Sequence, residues 1–303
     1  TGPGADGEGE GEAPLDIAFA EPVAELDDLT MALFGLVTRA REVSGSDGQT
    51  SAEAEIAAWD SYRTMITEVV AVEDVHPHLR RITFTGDDLA GMVLPGPDAF
   101  LYVLLPPPGR TELTIDSSFT WEGYNHMPEA DRPVGAYYTV RRWDPGARRL
   151  EMLFVLHGDH DGEPEGPASG WAAKAAVGDP VALWGPRTCY RPPADVDWYL
   201  LVADETGLPA TAAILEELAG RFDGPVRVVV EVADAAEELP LGTMPGQAEG
   251  PGPPDLEVTW LHRDGAPAGT TTELYDAVVG MDLPPGEPYI WGGGESRSMT
   301  QIR

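Results

Sequence analysis

The sequence predicts two domains in succession, a six-stranded antiparallel β-barrel followed by a doubly wound α/β domain. Between residues 65 and 190, six short runs rich in β-branched and aromatic residues are separated by Gly, Pro and Asp. A single helical pattern interrupts these runs, which favours a small antiparallel barrel. From residue 197 onward, apolar runs of strand length alternate with helical patterns. That alternation is typical of a parallel sheet with right-handed crossovers.

The individual elements are predicted from the same patterns, in chain order. The predicted barrel strands are 66–75, 79–85, 100–106, 136–143, 149–157 and 180–184, with one helix at 168–176. The predicted strands of the second domain are 198–203, 226–232, 256–262 and 289–291, with helices at 208–222 and 271–281. Residues 109–132 are interpreted as a long polar connection that forms a mobile surface flap.

Residues 1–64 are predicted to be an acidic, partly disordered extension outside both domains. The first 14 residues are rich in Gly and Glu and almost free of apolar side chains, so they cannot bury enough surface to become ordered. Apolar residues recur at helical spacing over 26–43, and a second short helix is predicted over 52–62. No chemistry is predicted for this extension.

Composition excludes several classes of partner. The formal net charge is −33, with one lysine, Lys174, among 19 basic residues, so nucleic acid and anionic membrane surfaces would be repelled. The single cysteine, Cys189, excludes an intramolecular disulfide and a cysteine-ligated iron–sulfur cluster. No apolar run is long enough to span a membrane, and the N-terminus lacks the pattern of a secretory signal. A cytoplasmic protein is therefore predicted.

Two turns that precede predicted helices are candidate phosphate sites. Gly166 and Pro167 turn the chain and Ser169 lies near a helix start, where free N–H groups can hold a diphosphate. Thr206 and Gly207 open the first helix of the second domain in the same way. Neither a Gly-x-Gly-x-x-Gly nor a Walker motif occurs. Glu231 ends the next strand, where a carboxylate would bind a ribose hydroxyl and disfavour a 2′-phosphate, which favours NADH.

Several segments resemble motifs of the siderophore-interacting proteins, which are FAD-dependent ferric-siderophore reductases of the ferredoxin-reductase type. The matching segments are Tyr-Thr-Val-Arg at 138–141, His157-Gly158, Gly-Pro-Ala-Ser-Gly-Trp at 166–171, Gly-Pro-Arg at 185–187, Asp-Glu-Thr-Gly-Leu-Pro-Ala at 204–210 and Trp-Gly-Gly-Gly-Glu at 291–295. The resemblance covers about 65–303. It implies a ferredoxin-reductase-like fold with an FAD-binding barrel (65–190) and an NAD(P)-binding domain (197–303).

The resemblance also implies which residues bind FAD. They are Tyr138, Thr139, Val140, Arg141, His157, Gly166, Pro167, Ala168, Ser169 and Trp171. Tyr138 would pack on the flavin, and the backbone near Thr139 would face the reactive edge of its ring. The family has a phosphate-binding arginine two residues before this tyrosine, where this chain has Ala136, and the nearest upstream arginine is Arg132.

The remaining implied residues bind the nicotinamide cofactor and the substrate. NADH or NADPH would be held by Asp204, Glu205, Thr206, Gly207, Glu231, Gly293, Gly294 and Glu295. The substrate pocket would include Arg187, and also Tyr102, which stands where the family has a lysine. No metal site is predicted, because His157, His160 and Asp161 lack further ligands.

The resemblance implies an NAD(P)H:ferric-siderophore oxidoreductase that releases Fe(II), with a ferric siderophore as substrate and, as an alternative electron donor, a ferredoxin. Two other functions stay open: a general flavin or ferredoxin-type reductase, and a flavin- or siderophore-binding protein of the same fold without turnover. Relatives continue beyond the Trp-Gly-Gly-Gly-Glu segment with a helix and a tail, whereas this sequence ends at Arg303. The tail is therefore expected to be missing.

Overall fold

The computed structural model describes residues 62–156, 166–241 and 252–302, and scattered residues between 32 and 45. The chain divides into two compact units, Thr1–Ser61 and Tyr62–Arg303. In the first unit, the described residues of the predicted helix 26–43 are helical, whereas the predicted helix 52–62 lies outside the described residues except for Tyr62, which is not helical. None of the helices described is long and apolar enough to cross a membrane.

Six antiparallel strands of the second unit close into a barrel, in the order β1-β2-β5-β4-β3-β6. The strands are β1 (Arg63–His76), β2 (Leu79–Thr85), β3 (Phe100–Leu105), β4 (Val134–Asp144), β5 (Arg149–Val155) and β6 (Pro180–Arg187). This confirms the predicted barrel. Strand β6 is longer than predicted, because Gly185 still pairs with Arg63 on β1 and Arg187 pairs with Phe100 on β3.

Alternate side chains of the strands fill the barrel. The large members of this core are fully buried and include Met65, Ile82, Phe84, Met152 and Phe154. Helix α2 (Pro167–Ala172) packs on this core, but it ends four residues before the prediction. The reason is Arg80, whose Nη1 donates to the carbonyls of Ala172 and Ala173 at 3.0 and 2.8 Å and so satisfies the end of the helix.

The segment 109–132 is not simply a polar connection. It contains helix α1 (Trp121–His126), whose first turn is capped by Thr120 Oγ1 accepting from Gly123 N at 3.1 Å. Trp121 from this segment contacts the rings of Tyr102 and Trp184 on the barrel, and Phe119 packs on Trp121. The prediction was wrong because the aromatic residues of the segment are too few to produce a periodic pattern.

The second half of the unit is a parallel four-stranded sheet in the order β10-β7-β8-β9, which confirms the predicted α/β domain. Its strands are β7 (Trp198–Asp204), β8 (Pro225–Val232), β9 (Asp255–His262) and β10 (Pro288–Gly293), and its helices are α3 (Leu208–Leu218), α4 (Glu273–Val279) and α5 (Ser296–Ile302). All seven residues of β7 are buried, as expected for a parallel strand covered on both faces. Helix α5 was not predicted; Met299 and Ile302 attach it to the sheet.

A buried carboxylate joins the barrel to the α/β domain. Asp98 is 2% exposed and accepts hydrogen bonds from Thr188 Oγ1, from Cys189 N at 3.0 Å and from Trp291 Nε1 at 3.1 Å. Thr188 and Cys189 directly follow β6, whereas Trp291 belongs to β10. Asp98 therefore fixes the strand that leads into the Gly292–Gly294 turn relative to the barrel.

Two further contacts hold the domains together. Arg141 on β4 forms a bidentate ion pair with Glu216 on α3, and the arginine side chain is 2% exposed. Next to β2 and β5, His78 Nδ1 contacts Glu237 Oε1 and Leu239 packs on the side chains of Leu79, Leu153 and Val155. The barrel and the α/β domain are thus positioned by several independent contacts.

Candidate functional site

The two faces of β4 carry different residues of the Tyr-Thr-Val-Arg segment. Side chains that pack against the barrel core are those of Val134, Ala136, Tyr138 and Val140. By strand alternation, Tyr137, Thr139 and Arg141 lie on the outer face. The backbone N–H of Val140 donates to Ala99 O at 2.7 Å, so it is already used within the protein.

Tyr138 faces the interior of the barrel. Its ring lies 4.1 Å from the ring of Phe154, centroid to centroid, and burial raises the pKa of its hydroxyl to about 12. The outward tyrosine is its neighbour Tyr137, which is 45% exposed. A contact between Tyr138 and a flavin on the outer face stays a prediction, and it would require the ring to leave this position.

Eight aromatic rings form a continuous surface on the outside of the barrel, here called the aromatic wall. Its members are Tyr62, Phe100, Tyr102, Phe119, Trp121, Tyr124, Tyr137 and Trp184. Neighbouring rings lie 4.8 to 6.3 Å apart, mostly edge to face. The wall draws residues from four strands or their ends, from helix α1 and from the loop before it, so the sequence does not show it as a single motif.

Arg187, predicted to bind substrate, lies against this wall. Its Nη1 donates to the hydroxyl of Tyr137 at 2.6 Å, and its guanidinium is 5.3 to 6.0 Å from the ring centroids of Tyr62, Phe100 and Tyr137. Burial lowers the pKa of Arg187, but a guanidinium stays charged at neutral pH. Tyr102, the second predicted substrate residue, is 4.8 Å from Tyr137 and belongs to the same wall.

The turn before α2 has the predicted conformation for a helix start. Gly166 has a φ of 83°, which glycine adopts without strain, and Pro167 occupies the first helical position. Ala168 and Ser169 are buried, and the ring of Trp171 lies 5.7 Å from that of Phe154. His157, predicted to lie beside the flavin, is outside the described residues.

Neither position 136 nor Arg132 offers an uncommitted guanidinium for a cofactor diphosphate. Ala136 faces the barrel core, and Arg132 donates to the carbonyls of Asn125 and Met127 at 3.1 Å each. A cavity of about 410 Å³ beside α2 is lined by both Arg110 and Lys174, together with Pro167 and Trp171. Arg110 is ion-paired with Asp131. Of these two cations beside α2, Lys174 is therefore the one that forms no ion pair with an acidic residue in the described part of the chain.

The carboxyl ends of β7 and β10 bring together most of the predicted nicotinamide-binding residues. Asp204 Oδ1 accepts from Thr206 N and Oγ1 at 2.8 and 2.6 Å, and its Oδ2 accepts from Glu295 N at 2.6 Å. Burial raises the pKa of Asp204, although the hydrogen bond from the Thr206 side chain acts to lower it. The sheet order reverses between these strands, which is where ligands bind in open α/β sheets.

Arg263, at the end of β9, is a site residue that sequence reasoning missed. It is 8% exposed, donates to both oxygens of Glu205 at 2.7 and 2.6 Å, and lies 3.5 Å from Glu231 Oε2. Thr271 Oγ1 donates to the other oxygen of Glu231. Both predicted carboxylates are therefore held in place by neighbours, and their charge is only partly balanced by one arginine.

The glycines at this edge are explained by packing within the protein. A Cβ on Gly207 would lie 2.0 Å from Gly293 O, and one on Gly293 would meet the ring of Trp291 at 2.6 Å. A Cβ on Gly294 would approach Asp204 Oδ2 to 2.8 Å. Gly293 and Gly294 were predicted because glycine lets a nicotinamide come close to the backbone. In the structure, contacts within the protein are already sufficient to explain glycine at both positions.

The outer barrel face fits the ring of FAD better than its diphosphate. Thr139 presents a hydroxyl, and Arg141 Nε is buried with no hydrogen-bond partner in the described part of the chain. A ring with polar edge atoms could satisfy that N–H. The diphosphate lacks the arginine at position 136, so its charge would have to be met at α2 and by Lys174.

Comparison with known proteins gives consistent results. The siderophore-interacting FAD-binding domain family matches residues 68–190, and the siderophore-interacting protein family matches residues 196–303. A siderophore utilization protein from T. fusca is 35% identical, with a TM-score of 0.65 over 80% of this chain and 85% of that one. An NADPH-dependent ferric-chelate reductase from Escherichia coli is 30% identical over 77% of this chain and 83% of its own.

The fold itself is more widely shared. A ferredoxin NADP+ reductase from Neisseria gonorrhoeae, with bound FAD and NADP, is 16% identical with a TM-score of 0.52, over 79% of this chain and 88% of that one. At this identity the likeness shows the fold alone, and it confirms the ferredoxin-reductase-like architecture. The two family matches meet between residues 190 and 196, where the structure passes from β6 to β7.

Proposed function

Because the chain belongs to the siderophore-interacting protein family, we propose that it is an oxidoreductase that passes electrons from a nicotinamide through FAD to Fe(III) held by a siderophore. The observation that carries the proposal is Arg187, a cation held on the aromatic wall by Tyr137. Siderophores present oxygen-rich and often anionic surfaces, so a guanidinium can bind them through charge-assisted hydrogen bonds. Reduction weakens the complex, because hard oxygen ligands hold Fe(II) less tightly.

FAD is assigned to the outer face of β4 and to the turn at Gly166–Ser169. Thr139 and Arg141 would bind the polar edge of the ring, and Arg141 would keep its bidentate contact with Glu216 while its Nε donates to the cofactor. When bound, FAD supplies two-electron acceptance from a hydride donor and one-electron donation to each of two Fe(III) ions. No side chain is required as a general acid or base for that exchange.

The nicotinamide cofactor is assigned to the carboxyl ends of β7, β8 and β10. Thr206, Gly207 and the first turn of α3 would meet its diphosphate, and Glu231 would accept a hydrogen bond from a ribose hydroxyl. A 2′-phosphate would have to lie beside Glu205 and Glu231, whose one described cation, Arg263, is already engaged. NADH is therefore the proposed donor, although the relative from Escherichia coli is named as NADPH-dependent.

The charge of the chain weighs against an acidic protein as the electron donor. With a formal net charge of −33, the protein would repel an acidic ferredoxin at long range. A nicotinamide dinucleotide is small enough to bind in a cleft where local dipoles outweigh the distant charge. The nicotinamide is accordingly preferred over a ferredoxin.

A flavin- or siderophore-binding protein without turnover is the second candidate, and Ala136 favours it. Loss of one charge-assisted contact to the diphosphate would weaken FAD binding by about 1.5–3 kcal/mol. Such a protein would be purified with little FAD and would still bind its ferric chelate.

One anaerobic experiment separates these functions. The purified protein is saturated with FAD, NADH is added, and the absorbance of the oxidised flavin is followed; a ferric siderophore and a chromogenic Fe(II) chelator are then added. A reductase loses the flavin absorbance with NADH and recovers it while about two Fe(II) ions appear for each NADH consumed. If NADH leaves the flavin oxidised, the binding function is the correct one. If the flavin is reduced and only oxygen or free ferric salts reoxidise it, the protein is a general flavin reductase.

A further inference from the structure

The aromatic wall is not needed to close the barrel. The barrel interior has its own core, and the wall lies on the opposite face of β3 and β4, where all its rings keep part of their surface exposed. Tyr137 is 45% exposed. An exposed apolar surface built from several strands marks a binding site more often than it serves stability.

The wall is poor in positive charge. Among the described residues, the guanidinium of Arg187 contacts three of its rings, and Arg132, which donates to backbone carbonyls, lies over Tyr124 at the far end. Arg191 lies close enough to Tyr62 and Cys189 to influence them electrostatically. At the centre of the wall, position 102 carries the neutral ring of Tyr102, whose hydroxyl donates to Gly135 O at 2.9 Å. A highly charged anion would find few counter-charges here.

The wall therefore combines stacking surface with one central cation. Aryl rings of a ligand can stack on Tyr137, Tyr102 and Trp184, and each such contact strengthens binding about two- to tenfold. Arg187 can balance one negative charge. Each additional negative charge on the ligand meets the field of a protein that carries a net charge of −33.

We propose that the aromatic wall selects a ferric chelate that bears an aryl group and carries little net charge, in preference to both an aliphatic chelate and a highly anionic one. The inference rests on the proposed function and concerns the specificity of the same site. Tyr137 and Tyr102 are the specificity-determining residues, and Arg187 orients the ligand through its anionic oxygen.

Binding of Ga(III) chelates tests the proposal without electron transfer. Three probes are compared by quenching of tryptophan fluorescence in the FAD-loaded protein: a neutral chelate with one phenolate and two hydroxamates, a neutral aliphatic tris-hydroxamate, and a tris-catecholate with three negative charges. The phenolate chelate should bind at least about fivefold more tightly than the tris-hydroxamate. It should also bind more tightly than the tris-catecholate, by a margin that narrows as salt screens the repulsion.

Substitutions at two positions connect the selectivity to the wall. Because the hydroxyl of Tyr137 holds Arg187, Tyr137→Leu is compared with Tyr137→Phe, which keeps the ring and lacks the hydroxyl. Tyr137→Leu should bind the phenolate chelate about three- to tenfold more weakly than Tyr137→Phe, and the two variants should bind the tris-hydroxamate within twofold of each other. Tyr102→Lys should shift the preference toward the tris-catecholate by about tenfold. Tyr275→Leu is the matched control, because Tyr275 is an exposed tyrosine on α4, and it should change neither ratio. If Tyr102→Lys does not fold, the comparison of the two Tyr137 variants alone decides the question.

Several results would overturn the inference. Equal binding of the phenolate chelate and the tris-hydroxamate would show that the rings do not stack on the ligand, and tightest binding of the tris-catecholate would refute the charge argument. If FAD added to the flavin-free protein displaces the Ga(III) chelate, the wall is the seat of the flavin instead. None of these results depends on reduction, so a protein that discriminates among the chelates yet transfers no electrons refutes only the proposed function.

Discussion

Asp98 allows a quantitative test of how the domains are held together. Its buried carboxylate accepts from Thr188, Cys189 and Trp291, so Asp98→Ala would leave the buried Trp291 N–H, the partly buried Cys189 N–H and a hydroxyl without their acceptor. Each unsatisfied buried donor costs about 1–3 kcal/mol. The hydroxyl of Thr188 can rotate and already accepts from Tyr190 N, so the two N–H groups carry most of the loss. We expect a destabilisation of about 4 kcal/mol.

Asp98→Asn separates shape from charge. The amide oxygen can still accept from Cys189 N and Trp291 Nε1, while the amide nitrogen donates to Thr188 Oγ1. Only the charge-assisted part of the hydrogen bonds is lost, which is about 1–2 kcal/mol. Trp291→Phe removes the interdomain donor alone. Combined with Asp98→Ala it should therefore cost less than the sum of the two single changes.

Thermal unfolding of the FAD-loaded protein measures these differences. At about 2–4 °C per kcal/mol for a protein of this size, Asp98→Ala should lower Tm by about 8–16 °C and Asp98→Asn by about 2–8 °C. Asp87→Asn is the control, because Asp87 pairs with Arg148 on the surface and should matter little. A Tm for Asp98→Ala within 2 °C of the unmodified protein would refute the reasoning.

Four further predictions concern the site and the barrel. Arg187→Ala should raise the half-saturating concentration of ferric siderophore about tenfold without slowing flavin reduction by NADH, with Arg221→Ala as the exposed control; loss of flavin reduction would make Arg187 structural. The ratio of kcat/KM for NADH to that for NADPH should exceed one and should fall in Glu231→Gln, and a preference for NADPH would contradict the assignment. Because burial raises the pKa of Tyr138 to about 12, the folded state favours its protonated form; stability should fall as pH rises from about 10 to 12, and Tyr138→Phe should remove that loss in alkaline unfolding experiments. Ala136→Arg should lower Tm because it places a guanidinium against the apolar barrel core, and tighter FAD binding at an unchanged Tm would show instead that this position faces outward.

The fold could be predicted because its strands carry strong local patterns. The bounds of β2 agree with the prediction at both ends, and β7 reads as one continuous apolar run that the sheet buries completely. Helices α1 and α5 were missed because each contains only two large apolar residues, too few to show a helical period. Their stability comes from packing on other elements, which no local pattern records.

The residues at the carboxyl ends of the parallel strands could be predicted because topology alone brings those ends together. Asp204 and Glu295, 91 positions apart, meet through one backbone hydrogen bond. Arg263 could not be found in the same way, because its role depends on ion pairs with Glu205 and Glu231 across three strands. A charged residue placed one position after a predicted strand was the only available signal.

Two adjacent tyrosines show most clearly where sequence reasoning ended. Strand alternation requires that one of Tyr137 and Tyr138 faces the barrel and the other the surface. Neither face of β4 carries a purely apolar set of residues, so the sequence pattern does not show which tyrosine faces inward. In the structure, Tyr138 faces inward because it pairs with Leu101 on β3, and Leu101 belongs to the barrel core. The same register turns Ala136 inward and sets Tyr137 opposite Tyr102 on the outer face. The sequence has alanine at position 136 and tyrosine at position 102, and the register places the ring of Tyr102 beside Tyr137 and Arg187. Both departures from the family pattern therefore point to a site that depends less on positive charge.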